Sequence, residues 1–414
     1  MPQCLNTSRC TSPVLESGRL DLHCLPGAAY ISVVAANFCT ALCRKQGIRF
    51  FIENRNQLNG ETTMTMNTLG FAAHSSSDAL TPYRFERRDP RPDDVVIEIL
   101  YCGVCHSDLH QVRNDWGGSI YPIVPGHEII GRVVSVGPDV TRFKQGDHVG
   151  VGCMVDSCQH CTACESGLEQ YCEETPTYTY NSIDRHDGMH TFGGYSEKII
   201  VSDKFVLKIP DGMDLKGAAP LLCAGITTWS PLRHWNIGKG SKVAVIGLGG
   251  LGHMALKLAK ALGADVTLFT RSPGKGQDAH RLGADTVVLS TEKAQMEAVK
   301  GQFKLIIDTV PSVHDLNPYM PTLALDGTLV LVGFLGGIEP LLSTVPLIMA
   351  RKSVAGSVIG GIAETQEMLD FCGKYEITSD IEIIRIQDIN AAYERLLKSD
   401  VKYRFVIDMT SLKE

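Results

Sequence analysis

The sequence lacks a basic excess: of its 414 residues, 39 are Lys or Arg and 46 are Asp or Glu, a net charge of −7. Without clustered cations there is no general electrostatic reason to bind nucleic acid or an anionic membrane, so neither is expected as a partner. Internal repeats and low-complexity tracts are also missing, and 44% of residues are apolar, enough to build large cores and to exclude wholesale disorder. An uninterrupted apolar span is absent too. Leu22 to Cys43 is uncharged apart from His23 and is followed by Arg44, Lys45 and Arg49, but Pro26, Ser32, Asn37 and Thr40 break it, and it begins too late for an ordinary secretory signal. Residues 1–65 follow no sustained period, and Met64 and Met66 open a more regular sequence, so these residues are expected to be an unassigned leader of translated upstream sequence.

What is present in quantity is cysteine, fourteen in all. Nine lie after residue 100 and six of those sit in short-spaced sets, a pattern of metal ligation in a reducing, cytoplasmic setting rather than of a secreted disulfide framework.

Two rhythms divide the remaining chain. VVIEIL (95–100), GRVVSVG (131–137), HVGVG (148–152) and EKIIV (197–201), punctuated by Gly and Pro, predict strands of an antiparallel, barrel-like region. After about residue 223 strands alternate with helices: KVAVIG (242–247), a helix over 249–265, DVTLFT (265–270), LIIDTV (305–310) and GTLVLVG (327–333). Alternation of this kind predicts βαβ units and a parallel sheet.

Gly247-Leu248-Gly249-Gly250-Leu251-Gly252 follows an apolar strand and opens a helix, the context in which glycines let backbone N–H groups approach a pyrophosphate at the positive helix end. Eighteen residues after Gly252, where an NAD site offers an acid to the ribose hydroxyls, no acid is found. Thr270, Arg271, Ser272 and Lys275 offer hydroxyls and cations instead, which suit a ribose 2′-phosphate and favour NADP over NAD.

Cys158-x2-Cys161-x2-Cys164-x7-Cys172 can wrap one tetrahedral zinc ion. An iron–sulfur cluster fits less well, because the fourth cysteine is too distant and no Pro follows it. A closed four-cysteine shell has no open position, so it can brace a lobe but not bind substrate. A second, scattered set comprises Cys105, His106, Ser107, Asp108, His110, His127, Glu128 and Cys223; spacing alone does not decide whether it forms a site.

These residues resemble the zinc-dependent medium-chain alcohol dehydrogenases. GHEIIGRVVSVGPDV (126–140) fits their zinc signature, and CGVCHSDLHQVR (102–113), YPIVPGHE (121–128), PLLCAGITTWSPLRHW (220–235), IGGIAETQEMLDFC (359–372) and DVKYRFVID (400–408) are similar to the branch of cinnamyl alcohol dehydrogenases and bacterial NADP-dependent aldehyde reductases. The resemblance runs from about Met66 to the C-terminus. It implies an α/β fold with a GroES-like β-rich catalytic domain (66–222 and 361–414) and a Rossmann doubly wound parallel-sheet domain (223–360). It further implies two zinc ions per subunit, NADP(H), an aldehyde or alcohol substrate, and a homodimer joined at an edge strand including Val354 to Ile359. By the same resemblance, Cys105, His127 and Cys223 hold the catalytic zinc with Glu128 nearby, and Asp108 orients a ligand histidine. Ser107 and His110 relay a proton, His106 and Arg404 meet the pyrophosphate, Thr227 lies near the nicotinamide, and Trp116 lines the substrate pocket. A zinc-free quinone-reductase-like enzyme and a zinc-ribbon binding module are the competing expectations.

Overall fold

The computed structural model describes residues 66–333 and 336–414. The expected leader, 1–65, lies outside the described residues.

The short β-branched runs after Val95 pair into a seven-stranded sheet. Its order is Ile381–Arg385, Arg404–Asp408, Asp94–Val104, Ile129–Val136, His148–Val151 and Leu207–Lys208, with Lys198–Ser202 pairing alongside the first half of Asp94–Val104. The four expected strands all pair antiparallel, and a parallel pair that was not expected, Ile381–Arg385 with Arg404–Asp408, extends the sheet. The helix Ile389–Leu397 lies in their connection and supplies the crossover that a parallel pair requires.

The second sheet is parallel throughout, in the order Thr286–Leu289, Asp265–Thr270, Lys242–Ile246, Phe303–Asp308, Leu323–Leu331, Ser353–Gly356. This is the doubly wound strand order, and covering on both faces explains why Val243, Ala244, Val245 and Ile246 read as one apolar run. Several boundaries move from those expected. The first helix spans Gly252–Ala261 rather than 249–265, because Gly249–Leu251 form the turn and Asp265 already belongs to a strand. The strand expected at 305–310 stops at Asp308, the one at 327–333 occupies Leu323–Leu331, and the edge strand is Ser353–Gly356, short of Ile359.

One continuous apolar core links the sheets, joining Ile97 and Ile130 of the first to Val243 and Val330 of the second. Across it the helix Ala224–His234 packs on Gly252–Ala261. The sequence between these helices therefore carries the chain from one sheet to the other beside the glycine turn. Among the described residues, no helix is long and apolar enough to cross a membrane.

Candidate active site

Three distant stretches converge beside that turn. Cys105 follows the strand Asp94–Val104 and caps the helix His106–Val112, His127 precedes the strand Ile129–Val136, and Cys223 caps the helix Ala224–His234. Ligand atoms of Cys105, His127, Glu128 and Cys223 all lie within 4.8 Å of one another, in buried surroundings. The two sulfurs are 4.0 Å apart. That is too far for a disulfide, and close to the roughly 3.8 Å that two thiolates at about 2.3 Å from one tetrahedral ion would keep. The donor set therefore fits zinc.

Asp108 organises this cluster. Its fully buried carboxylate accepts the backbone N–H of Cys105 at 2.9 Å and of Gly126 at 3.0 Å, and lies 2.9 Å from Nδ1 of His127. With Nδ1 engaged, Nε2 is the nitrogen left for a metal, the arrangement by which a carboxylate fixes a ligand imidazole. The hydrogen bond from Cys223, helped by the Arg404 guanidinium, holds the Cys105 thiol well below the usual thiol range against the effect of burial. Such a thiol is ready to serve as a thiolate ligand. Glu128 is fully buried and pairs with Arg404, yet burial still pushes its carboxyl up to about 7. Its Oε2 is buried without a hydrogen-bond partner and packs against Gly103, where a Cβ would meet it at 1.9 Å.

Ser107 and His110 lie one turn apart on the helix His106–Val112. The Ser107 Oγ is 3.6 Å from the Cys105 sulfur; the His110 ring faces outward, with Nδ1 2.8 Å from Asp115 and its centroid 5.1 Å from that of Trp116. Burial lowers the pKa of His106, so its ring is biased towards the neutral form. Thr227 is buried in the first turn of Ala224–His234, its N–H bonded to the Cys223 carbonyl. Trp116 is 39% exposed on the loop that follows the helix.

The four-cysteine loop forms a second cluster. The sulfurs of Cys158, Cys161, Cys164 and Cys172 lie within 4.8 Å of one another, with Cys158 and Cys164 3.8 Å apart. Backbone N–H groups point at the sulfurs, from Cys158 to Cys172, from Cys161 to Cys158 and from Glu173 to Cys161. The N–H groups of Cys164 and Glu173 bring the Cys161 thiol down to about 6. Amide donors aimed at sulfur stabilise thiolates, so this loop also fits a tetrahedral metal.

At the nucleotide turn, Gly247 has φ +89°, which a side chain would strain, and a Cβ on Gly252 would lie 2.2 Å from the Gly247 carbonyl oxygen. Gly249 faces open space, as close approach of a ligand requires, whereas Gly250 lies directly against the Arg404 guanidinium. Leu251 precedes the helix and is half-buried. At the end of the next strand Thr270 is buried and its Oγ1 accepts the Ser272 N–H, Arg271 and Ser272 are exposed, and Lys275 reaches back to the Leu248 carbonyl at 3.0 Å. The sequence thus brings two cations and two hydroxyls to the rim of the turn.

Residues 91–211 match the alcohol dehydrogenase GroES-like domain and residues 250–374 the zinc-binding dehydrogenase domain. The chain is 53% identical over 350 residues to the aldehyde reductase YahK of Escherichia coli K12, covering 84% of this chain and all of that one. It belongs to the zinc-binding alcohol dehydrogenase family. Among solved structures it is similar to the cinnamyl alcohol dehydrogenase SbCAD4 of Sorghum bicolor (45% identity, TM-score 0.79, covering 83% of this chain and 98% of that one). It is similar as well to the Helicobacter pylori cinnamyl alcohol dehydrogenase complexed with NADP(H) (43%, TM-score 0.78, 84% and 99%). The zinc-ribbon alternative is thereby set aside.

Two features of this dehydrogenase escaped the sequence reading. Cys153 sits half-buried with its thiol against Cys223 and 3.8 Å from the Leu222 carbonyl; only its place in the strand-rich run HVGVGC gave a hint. The pairing of Arg404 with Glu128 spans 276 positions and leaves no local signal. A prediction follows from the turn: Gly252→Ala is expected to lower stability by about 1–3 kcal/mol through overpacking and to weaken nucleotide binding with it. Thermal unfolding and a nucleotide titration check this; a variant as stable and as tightly binding as its parent contradicts it.

Proposed function

We propose that this dehydrogenase catalyses reversible, zinc-dependent hydride transfer between NADP(H) and aldehydes or primary alcohols, running physiologically towards aldehyde reduction. The supporting observation is that the buried Cys105–His127–Cys223 cluster adjoins the glycine turn, with Arg404 touching Gly250, Glu128 and Cys105 at once. When bound, a zinc ion supplies Lewis-acid polarisation of the carbonyl and a reduced nicotinamide supplies the hydride. The chain does the rest. Asp108 keeps the His127 ring in one tautomer, and Arg404 and His106 orient the pyrophosphate. Thr227 would meet the nicotinamide, and Trp116 would line the substrate side. Ser107, backed by His110, passes the alcohol proton between the buried cluster and solvent.

The choice of NADP rests on Thr270, Arg271, Ser272 and Lys275, and the similar Helicobacter pylori enzyme carries NADP(H). An aldehyde panel run in parallel with NADPH and NADH tests both substrate class and cofactor. Arg271→Ala combined with Lys275→Ala is expected to raise the KM for NADPH roughly 10- to 100-fold, the worth of one or two charge-assisted hydrogen bonds, with little change for NADH. Equal losses with both cofactors contradict the assignment.

The division into a catalytic lobe of 66–222 and 361–414 and a nucleotide lobe of 223–360 is supported by the separate strand membership of the two sheets. For the assembly we propose a homodimer. The strand Ser353–Gly356 lies at a sheet edge, and Leu341, Val345, Ile348 and Met349 expose apolar side chains nearby in sequence. A reducing, cytoplasmic location is supported by nine free cysteines among the described residues, six of them with sulfurs in the two clusters above.

A further inference from the structure

His253 follows the last glycine of the nucleotide turn and is fully buried in the first turn of the helix Gly252–Ala261. A buried ring must have its hydrogen bonds made. Its Nδ1 lies 3.3 Å from the Gly249 carbonyl, which also accepts the His253 backbone N–H at 3.0 Å, and its Nε2 lies 2.9 Å from the Ser379 hydroxyl. A carbonyl only accepts, so Nδ1 carries the proton and Nε2 accepts from Ser379. One neutral tautomer satisfies both contacts, in keeping with burial pushing the ring's pKa down to about 3.

The partners on the far side belong to the other sheet. Ser379 precedes the strand Ile381–Arg385, and its own N–H bonds the Gly217 carbonyl at 3.0 Å. Tyr403 stacks on the His253 ring at 5.1 Å and 14°, immediately before Arg404. One helical turn on, Lys257 donates to the Thr378 carbonyl at 2.7 Å and pairs with Asp380. The helix is thus fastened to residues 378–380 at positions i and i+4.

The consequence for the turn is geometric. In a planar trans peptide the carbonyl and N–H point in opposite directions. Holding the Gly249 carbonyl towards the helix body directs the Gly250 N–H out of the helix N-terminus, the direction from which a pyrophosphate is bound.

We propose that His253, with Ser379 as its partner, is a positioning residue for the cofactor: it locks the Gly249–Gly250 peptide with its N–H presented to the pyrophosphate, and ties that peptide to the segment carrying Arg404. The proposal rests on the reading of this turn as an NADP(H) site. It accounts for a fully buried polar ring in a helix whose other buried side chains, Met254, Ala255, Leu256, Leu258 and Ala259, are all apolar.

The test uses two variants of the zinc-loaded full chain. His253→Phe keeps a ring against Tyr403 and removes both hydrogen bonds; Ser379→Ala keeps the ring and removes the donor that fixes its tautomer. NADPH dissociation constants from nucleotide fluorescence are measured alongside zinc content, thermal unfolding and kcat at saturating NADPH. The Kd is expected to rise roughly tenfold for His253→Phe and about threefold for Ser379→Ala, the size of one buried hydrogen bond or less, with zinc retained and kcat within about threefold of the parent. Unchanged Kd values overturn the proposal, even if His253→Phe unfolds at a lower temperature, because that pattern is a packing role alone. If His253→Phe does not fold, Ser379→Ala decides by the same criterion. A parent chain that binds no NADPH overturns the cofactor reading itself, and this proposal with it.

Discussion

Cys105→Ala is expected to lower aldehyde-dependent NADPH oxidation on the order of 10³-fold or more, and to abolish zinc binding at the buried cluster while the four-cysteine loop keeps its metal. The magnitude follows from removing a Lewis acid whose stabilisation of developing charge is worth several kcal/mol. Of the three other donors gathered at this point, Cys223 and His127 already hold their places and Glu128 is paired with Arg404, so none restores the lost thiolate. His110→Ala provides the contrast. Its ring is partly exposed and paired with the exposed Asp115, so water can take over part of its work and the loss is expected to be roughly 10- to 100-fold, with zinc retained. Steady-state kinetics with metal analysis on both variants separates ligand from relay. Equal losses with zinc retained in both would contradict the assignment.

Cys164→Ala is expected to act on the fold rather than on chemistry. Cys164 is buried, its sulfur 3.8 Å from Cys158 and 3.3 Å from the Ser157 hydroxyl, and the loop around it has little apolar core of its own. Structural zinc binding is worth on the order of 10 kcal/mol in small zinc modules, and part of that would appear here as lost stability of the loop Cys158–Cys172. The loop also anchors its neighbours: Glu169 accepts the Ile362 N–H at 3.0 Å and the Tyr171 hydroxyl accepts that of Val358. Loss of this metal should therefore lower the unfolding temperature and expose the loop to proteolysis first. Calorimetry and limited proteolysis on the zinc-loaded variant measure this, and a variant that keeps both its melting temperature and its protease resistance would contradict the bracing role.

Legibility followed sequence distance. The four-cysteine loop and the glycine turn are each contained within a few residues, so their spacing carries their chemistry directly. Cys105, His127 and Cys223 come together only because three separate strand–helix junctions meet beside the turn, and their spacing alone was silent; resemblance to a known family supplied the grouping. The parallel pair Ile381–Arg385 and Arg404–Asp408 went unforeseen because five residues of mixed pattern do not declare their partner, which is set by the helical crossover between them. His253 was hidden for a related reason. The apolar period of its helix drew attention to Leu251, Ala255 and Leu258, and a histidine one place from the motif reads as a core residue until Gly249 and Ser379 are seen on its two nitrogens. The link from Glu128 to Arg404 is likewise a product of the third dimension, where the nucleotide turn and the sulfur cluster share one guanidinium.

The most direct test of zinc-assisted hydride transfer is NADPH oxidation with an aldehyde, followed on one sample as a chelator draws off its metal and zinc is then restored. Activity should fall in step with loss of the ion held by Cys105, His127 and Cys223 and return with it. Full activity in material stripped of all metal would contradict the account.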